Sequence, residues 1–200
     1  MSAASPTDLE LLALNAYMEA AGEPDDGVAA IVEVTLNRAR LAYRSDGTVR
    51  RTVAWPSQFS WTGFDMVAGH YTRVASSPDE IAARIERLLL SSKSQGTSWG
   101  RVADITARVM ARTYQGALYG RLTGDTVLYY NPRIVAGPDW AIAVNKVCTI
   151  GHHDFFRDPP RSGPIISGRW ASFALLPNSP ADRRSSMTSI SGGSKTSIDI

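Results

Sequence analysis

The chain has a single cysteine, Cys148, in 200 residues. Neither an intrachain disulfide framework nor a cysteine-rich zinc site can be assembled from it. Charge of one sign is scarce: Lys and Arg number 21 against 19 for Asp and Glu, a net charge of +2. Up to Arg157 the balance is 16 to 16 and beyond it 5 to 3, so the small surplus lies in the last stretch. A neutral main body lacks the concentrated basic stripe of a dedicated nucleic-acid binder, and no nucleic-acid partner is expected. No apolar run approaches the roughly 18 residues of a membrane span, so no membrane insertion is expected. The opening Met1-Ser2-Ala3-Ala4-Ser5-Pro6-Thr7-Asp8 has no basic segment, and Glu10 and Asn15 interrupt the apolar stretch from Leu9 to Ala16. No secretory signal is read there, and the expectation is a chain made soluble in the cytoplasm. Internal repeats are also lacking. What is present is 44% hydrophobic, 8% aromatic and 20% charged, the composition of a globular core, in a length that suits one domain.

Thr7 or Asp8 can cap a first helix, about 8 to 21, whose positions Leu9, Leu12, Ala13, Ala16 and Ala20 recur at helical spacing until Gly22 and Pro24 stop it. Asp25 or Asp26 opens a second helix, with Val28, Ile31, Val32, Leu36 and Ala39 on one stripe, ending near Leu41. The short Gly22-Glu23-Pro24 corner packs the two antiparallel. From Ala42 to Ser77 the aromatic residues Trp55, Phe59, Trp61, Phe64 and Tyr71 follow no period, and a long loop region is expected. Ser77-Pro78-Asp79-Glu80 starts a helix of about 78 to 91. Another begins near Ser98, carries Trp99, Val102, Ile105, Val109 and Ala117, and breaks at Gly120. Thr126 to Tyr130 has strand composition, Asn131-Pro132 turns, Asp139 to Val147 is a short helix or strand, and Thr149 to Phe156 is extended. The fold class is α+β, mainly helical, with a small antiparallel β element. Residues 1–157 form the domain, and 158–200 a Pro/Ser/Gly-rich C-terminal extension in which Trp170, Phe173, Leu175 and Leu176 could pack or dock.

On a helical wheel Leu12, Ala16 and Glu19 share a stripe, which puts a carboxylate on the packed face of the first helix. Burial and the negative end of the helix dipole both disfavour its ionised form and raise its pKa. A carboxyl kept protonated near neutrality is what a general acid needs to protonate a glycosidic oxygen. The competing reading pairs Glu19 with an arginine such as Arg38 in a purely structural role.

Residues around it carry a resemblance. Tyr17-Met18-Glu19-Ala20-Ala21-Gly22-Glu23-Pro24, then Leu36-Asn37-Arg38, Gln58-Phe59-Ser60-Trp61, Leu128-Tyr129-Tyr130-Asn131-Pro132, Trp140, and Ile150-Gly151-His152-His153-Asp154-Phe155-Phe156 follow in order. Over about residues 9 to 157 this resembles the SleB-type cell wall hydrolase family. The resemblance implies a lysozyme-like, mainly helical domain that cuts peptidoglycan glycan strands between N-acetylmuramic acid and N-acetylglucosamine, in the manner of lytic transglycosylases. It also implies that Glu19 is the catalytic acid and then base, with no cofactor. Met18 and Ala21 stand where the family has glycine and arginine.

A sugar chain needs aromatic platforms and side-chain amides near Glu19, and Gln58, Phe59, Ser60, Trp61, Tyr129, Tyr130, Asn131 and His153 supply those types. Core packing competes for Trp61 and Tyr130, and a turn for Asn131. Glu23 is the alternative second carboxylate, set against a reading in which it caps the following helix and accepts from backbone amides. Glu33 is expected on a solvated face. His152 and His153 invite a metal, but adjacent residues point opposite ways on a strand and no other ligand pair is evident, so none is expected. Partners are then peptidoglycan and, through residues 158–200, a phage tail or other virion protein. Such an enzyme reaches the wall as a bacteriophage endolysin or by virion delivery. A hydrolase, an amidase or a catalytically silent assembly protein are the rivals.

Overall fold

The computed structural model describes residues 5–56, 58–68, 70–134, 137, 138, 141 and 145–158. Trp140 and the aromatic and aliphatic residues of the C-terminal extension lie outside the described residues.

Helix α1 (Asp8–Ala20) starts at a capping box: the Thr7 side chain accepts from the Glu10 amide, and Glu10 accepts from the Thr7 amide. Lys93, at the far end of a later helix, also pairs with Glu10. The helix is not amphipathic in the way its wheel suggested. Leu11, Leu12, Ala13, Leu14, Asn15 and Ala16 are all buried in succession, because neighbours cover it on several sides. Those neighbours are α2 (Asp25–Arg40), α3 (Val49–Val53), α5 (Pro78–Lys93) and α6 (Thr97–Met110). α1 is therefore the central post of the helical layer.

The α1–α2 corner is held from outside. Arg101 of α6 donates to the carbonyls of Ala21 (3.2 Å) and Glu23 (2.7 Å) and pairs with Asp25 at 2.7 Å. Asp26 accepts from the Tyr114 hydroxyl (2.9 Å) and the Leu118 amide (3.0 Å). α5 begins at a second capping box, Ser77 with Glu80, and with Pro78 in its first turn.

Two predicted stretches differ. The region from Ala42 to Ser77 is not one loop: it contains α3, α4 (Ser60–Gly63) and an antiparallel hairpin of β1 (Phe64–Val67) and β2 (His70–Arg73). These pieces run four or five residues, too short to display a period, and all four β2 residues are exposed, so no alternation marks them. α6 stops at Met110 rather than near Gly120, because Arg112 takes a left-handed conformation (φ 59°) and Thr113 bonds back to the Arg108 carbonyl at 2.9 Å.

A three-stranded antiparallel sheet, ordered β3 (Thr126–Tyr130), β5 (His153–Arg157), β4 (Asn145–Ile150), completes the fold. The stretch from Thr149 to Phe156 is thus two strands rather than one, separated by Gly151-His152 with Ile150 opposite His153. Tyr129, opposite Phe155, faces the helices together with His153, two residues from Phe155 on the same strand. The core divides into one cluster of α1, α2, α6 and the sheet, and another of α1, α3, the aromatic region and α5. Leu36 and Tyr129 pack against both. The α+β, mainly helical class read from the sequence is what the chain adopts.

Candidate active site

The sequence pattern that includes Leu36-Asn37-Arg38 is a clamp between α2 and the sheet. The Asn37 amide donates to the carbonyls of Thr123 and Thr126, each at 3.1 Å. Arg38 Nε donates to the Val127 carbonyl at 2.6 Å. The Arg38 guanidinium lies over two rings, 5.0 Å from the centre of Phe59 and 5.4 Å from that of Tyr129. This fixes β3 against the last turns of α2, and with it the Tyr129 hydroxyl.

That hydroxyl donates to Glu19 Oε2 at 3.1 Å. Glu19 stands in the final turn of α1, half-buried, in a turn with no basic residue. Desolvation pushes its carboxyl above the usual range, opposed by the Tyr129 hydrogen bond and by the positive charge of Arg38. Among the described residues no ion pair joins Glu19 to Arg38, so the structural pairing weighed above is absent and Arg38 acts only at longer range. Tyr129 itself is pushed well above its ordinary value by burial and by Glu19. It stays a neutral donor.

Glu23 accepts from a backbone amide, as its structural reading expected, but not from one of the following helix. It does not cap α2, whose start carries no side-chain cap. Its carboxylate crosses to the β4–β5 turn, where Oε2 accepts from the His152 amide (2.8 Å) and Oε1 lies 3.1 Å from His152 Nδ1. His153 Nδ1 sits 3.5 Å from the same Oε1, buried and without a hydrogen bond. The two histidines therefore converge on one carboxylate instead of diverging, because His152 occupies the turn and only His153 the strand. Burial lowers the His153 pKa against the raising effect of Glu23. Its ring meets Tyr129 edge to face at 5.6 Å, linking Glu23, His153, Tyr129 and Glu19 in a row. Among the described residues no group of three or more His, Cys, Asp or Glu side chains is arranged to hold a metal.

Of the remaining candidates, Phe59 and Trp61 are 3% and 5% exposed and offer no free face for a sugar. Trp61 Nε1 donates to Asn15 Oδ1 at 2.9 Å, and Asn15 in turn donates to Thr35 at 3.0 Å, a buried polar chain tying α4 to α1 and α2. Gln58 is half-buried near the Tyr43 carbonyl, and Ser60 is exposed at the start of α4. Tyr130 points to the opposite side of β3 from Tyr129 and stacks on Phe156 at 5.6 Å. Asn131 Oδ1 accepts from the Arg133 amide at 3.0 Å, which is the turn role. The structure thus brings Glu19, Tyr129 and His153 together and leaves Tyr130 away from them.

Glu33 is not on a solvated face. It is 9% exposed, accepts from the Tyr119 hydroxyl at 2.7 Å and lies 3.5 Å from Arg112. Its partners come from a segment far along the chain, which local periodicity does not show. The tying roles of Asn15 and Arg38 have one signal in the sequence, polarity on helix faces otherwise filled by apolar residues.

The family model described as Cell Wall Hydrolase matches residues 22–156. The match takes in Glu23, the Leu36-Asn37-Arg38 clamp and both sheet motifs, and begins three residues after Glu19. Comparisons with curated proteins and with solved structures return no match. A match over more than half of the chain makes the protein a member of the SleB-type cell wall hydrolase family, enzymes that act on peptidoglycan.

Proposed function

We propose that this chain cleaves the glycan strand of peptidoglycan between N-acetylmuramic acid and N-acetylglucosamine as a lytic transglycosylase, with Glu19 as the only proton-transfer group. The observation that carries the reading is the state of Glu19: half-buried, desolvated toward its protonated form, and oriented by a neutral hydroxyl from a strand clamped to α2. In the first step the Glu19 carboxyl gives its proton to the glycosidic oxygen as the bond from that oxygen to the muramic C1 breaks. In the second, the Glu19 carboxylate takes the proton of the muramic 6-hydroxyl while O6 bonds to C1. The product is a 1,6-anhydro ring, no water is consumed, and Glu19 ends protonated. The Tyr129 hydroxyl stabilises the carboxylate between the two steps.

A hydrolase needs a second carboxylate to hold water or to attack the sugar. Glu23 is poorly placed for that, since both of its oxygens are committed to His152, one to its amide and one to its ring. Digestion of purified peptidoglycan with the wild type and Glu19→Gln, followed by mass analysis, tests the proposal. Anhydromuropeptides from the wild type and a loss of about 10²-fold or more in Glu19→Gln are expected. Reducing ends or freed peptides would assign hydrolase or amidase chemistry instead.

A further inference from the structure

A polar cavity lies along one face of α2. It has a volume of about 410 Å³, and its lining includes Glu33, Asn37, Arg40, Arg112, Tyr119 and Gly124, a size in the range of small-ligand sites. On α2, Glu33, Asn37 and Arg40 recur at helical spacing on one face, while Arg38 turns to Tyr129 and Phe59.

Most of the cavity's polar groups are already committed. Asn37 donates to two carbonyls, and Arg40 Nη2 donates to Asn37 Oδ1 at 3.0 Å and to the Gly124 carbonyl. Tyr119 gives its hydroxyl hydrogen to Glu33 Oε2, with its ring held edge to face against Tyr114 at 5.3 Å. These bonds make a fixed wall. Two groups are left with capacity. Among the described residues Glu33 Oε1 is paired with Arg112 at 3.5 Å, which is too long for a good charge-assisted hydrogen bond. An ammonium or N–H donor placed in the cavity would complete that oxygen. The Arg112 side chain is 69% exposed, so most of its donors face outward. It is set there by a left-handed backbone that glycine would occupy more easily.

An anionic floor beside a largely exposed guanidinium, the two loosely paired at 3.5 Å, has the complementarity of an ammonium next to a carboxylate. We propose that this cavity binds a zwitterionic amino-acid moiety, its ammonium on Glu33 and its carboxylate on Arg112, as carried by the diamino acid of a peptidoglycan stem peptide. The identification of the stem peptide rests on the peptidoglycan reading above. The site would grip the peptide branch while the glycan is cut at Glu19.

Isothermal titration of the full chain with diaminopimelic acid tests it, alongside pimelic acid, which lacks the amines, and 1,5-diaminopentane, which lacks the carboxylates. Diaminopimelic acid should bind at least about tenfold more tightly than either analogue, and Glu33→Gln should weaken it by at least about tenfold. Arg112→Gly should do the same while relieving the positive φ, so it keeps the test open if Glu33→Gln fails to fold. Absent binding, equal binding of an analogue, or binding unchanged in Arg112→Gly would overturn the proposal. The same titration on Glu19→Gln separates the two readings. Anhydromuropeptide release by the wild type without diaminopimelate binding overturns the cavity alone, and binding without release overturns the transglycosylase alone.

Discussion

At the scale of single residues, the Tyr129 hydroxyl is the group that most directly tunes Glu19. Its hydrogen bond favours the carboxylate, against the desolvation that favours the acid. In Tyr129→Phe the bond is gone, the ring and its contacts with His153 and Phe155 remain, and the Glu19 pKa rises further. A general acid works while protonated, so the alkaline limb of the kcat profile should move to higher pH. A pH profile of glycan release measures this. An unchanged alkaline limb would mean that another group sets it. Glu19 stood out as a candidate in the sequence because it falls on the helical stripe of Leu12 and Ala16, where a carboxylate is conspicuous. Tyr129 was legible only as an aromatic of suitable type, since its hydroxyl reaches Glu19 across 110 positions.

Among elements, the β4–β5 turn joins the site to the α1–α2 corner. Gly151 has φ +60°, and a Cβ there would overlap the Glu23 carboxylate. Gly151→Ala therefore meets both a left-handed backbone penalty and a displaced Glu23, and should destabilise the fold by about 2 kcal/mol. Urea denaturation measures it; a change within a few tenths of a kcal/mol would show that the turn adapts freely. Helices α1, α2 and α5 were readable because each has local start signals: Thr7 with Glu10, Asp25 with Asp26, and Ser77 with Pro78 and Glu80. α3, α4 and the β1–β2 hairpin were not, because four or five residues cannot show a period. They are held instead by distant partners, as where Arg84 of α5 donates to the carbonyls of Trp61 (2.8 Å) and Phe64 (3.1 Å).

For the whole molecule, stability should be highest between two pH limits of different origin. The capping-box carboxylates are both held down at about 2, Glu10 first by Lys93 and then by the Thr7 amide, and Glu80 by the amides of Ser77 and Ser76. Their stabilisation is present above the ordinary carboxylate value and is lost as pH falls toward about 2. Glu19 is raised, so its contribution is full at low pH and is lost as pH rises through its elevated value. Thermal melts across pH should show the wild type losing stability on that alkaline side, with the loss much reduced in Glu19→Gln and the acid side unaltered. Equal slopes in both proteins would place the alkaline loss elsewhere. The sequence by itself determined the mainly helical class, the helix starts, the β3 strand and the family-like motifs, because caps, periods and short motifs are properties of neighbouring residues. Only the tertiary structure decided that α1 is buried on several sides, that Glu23 latches the β4–β5 turn, that Trp61 belongs to the core and that Glu33 lines a cavity. Each of those depends on groups brought together from distant parts of the chain, and a carboxylate's surroundings, unlike its spacing, are fixed only when the layers close.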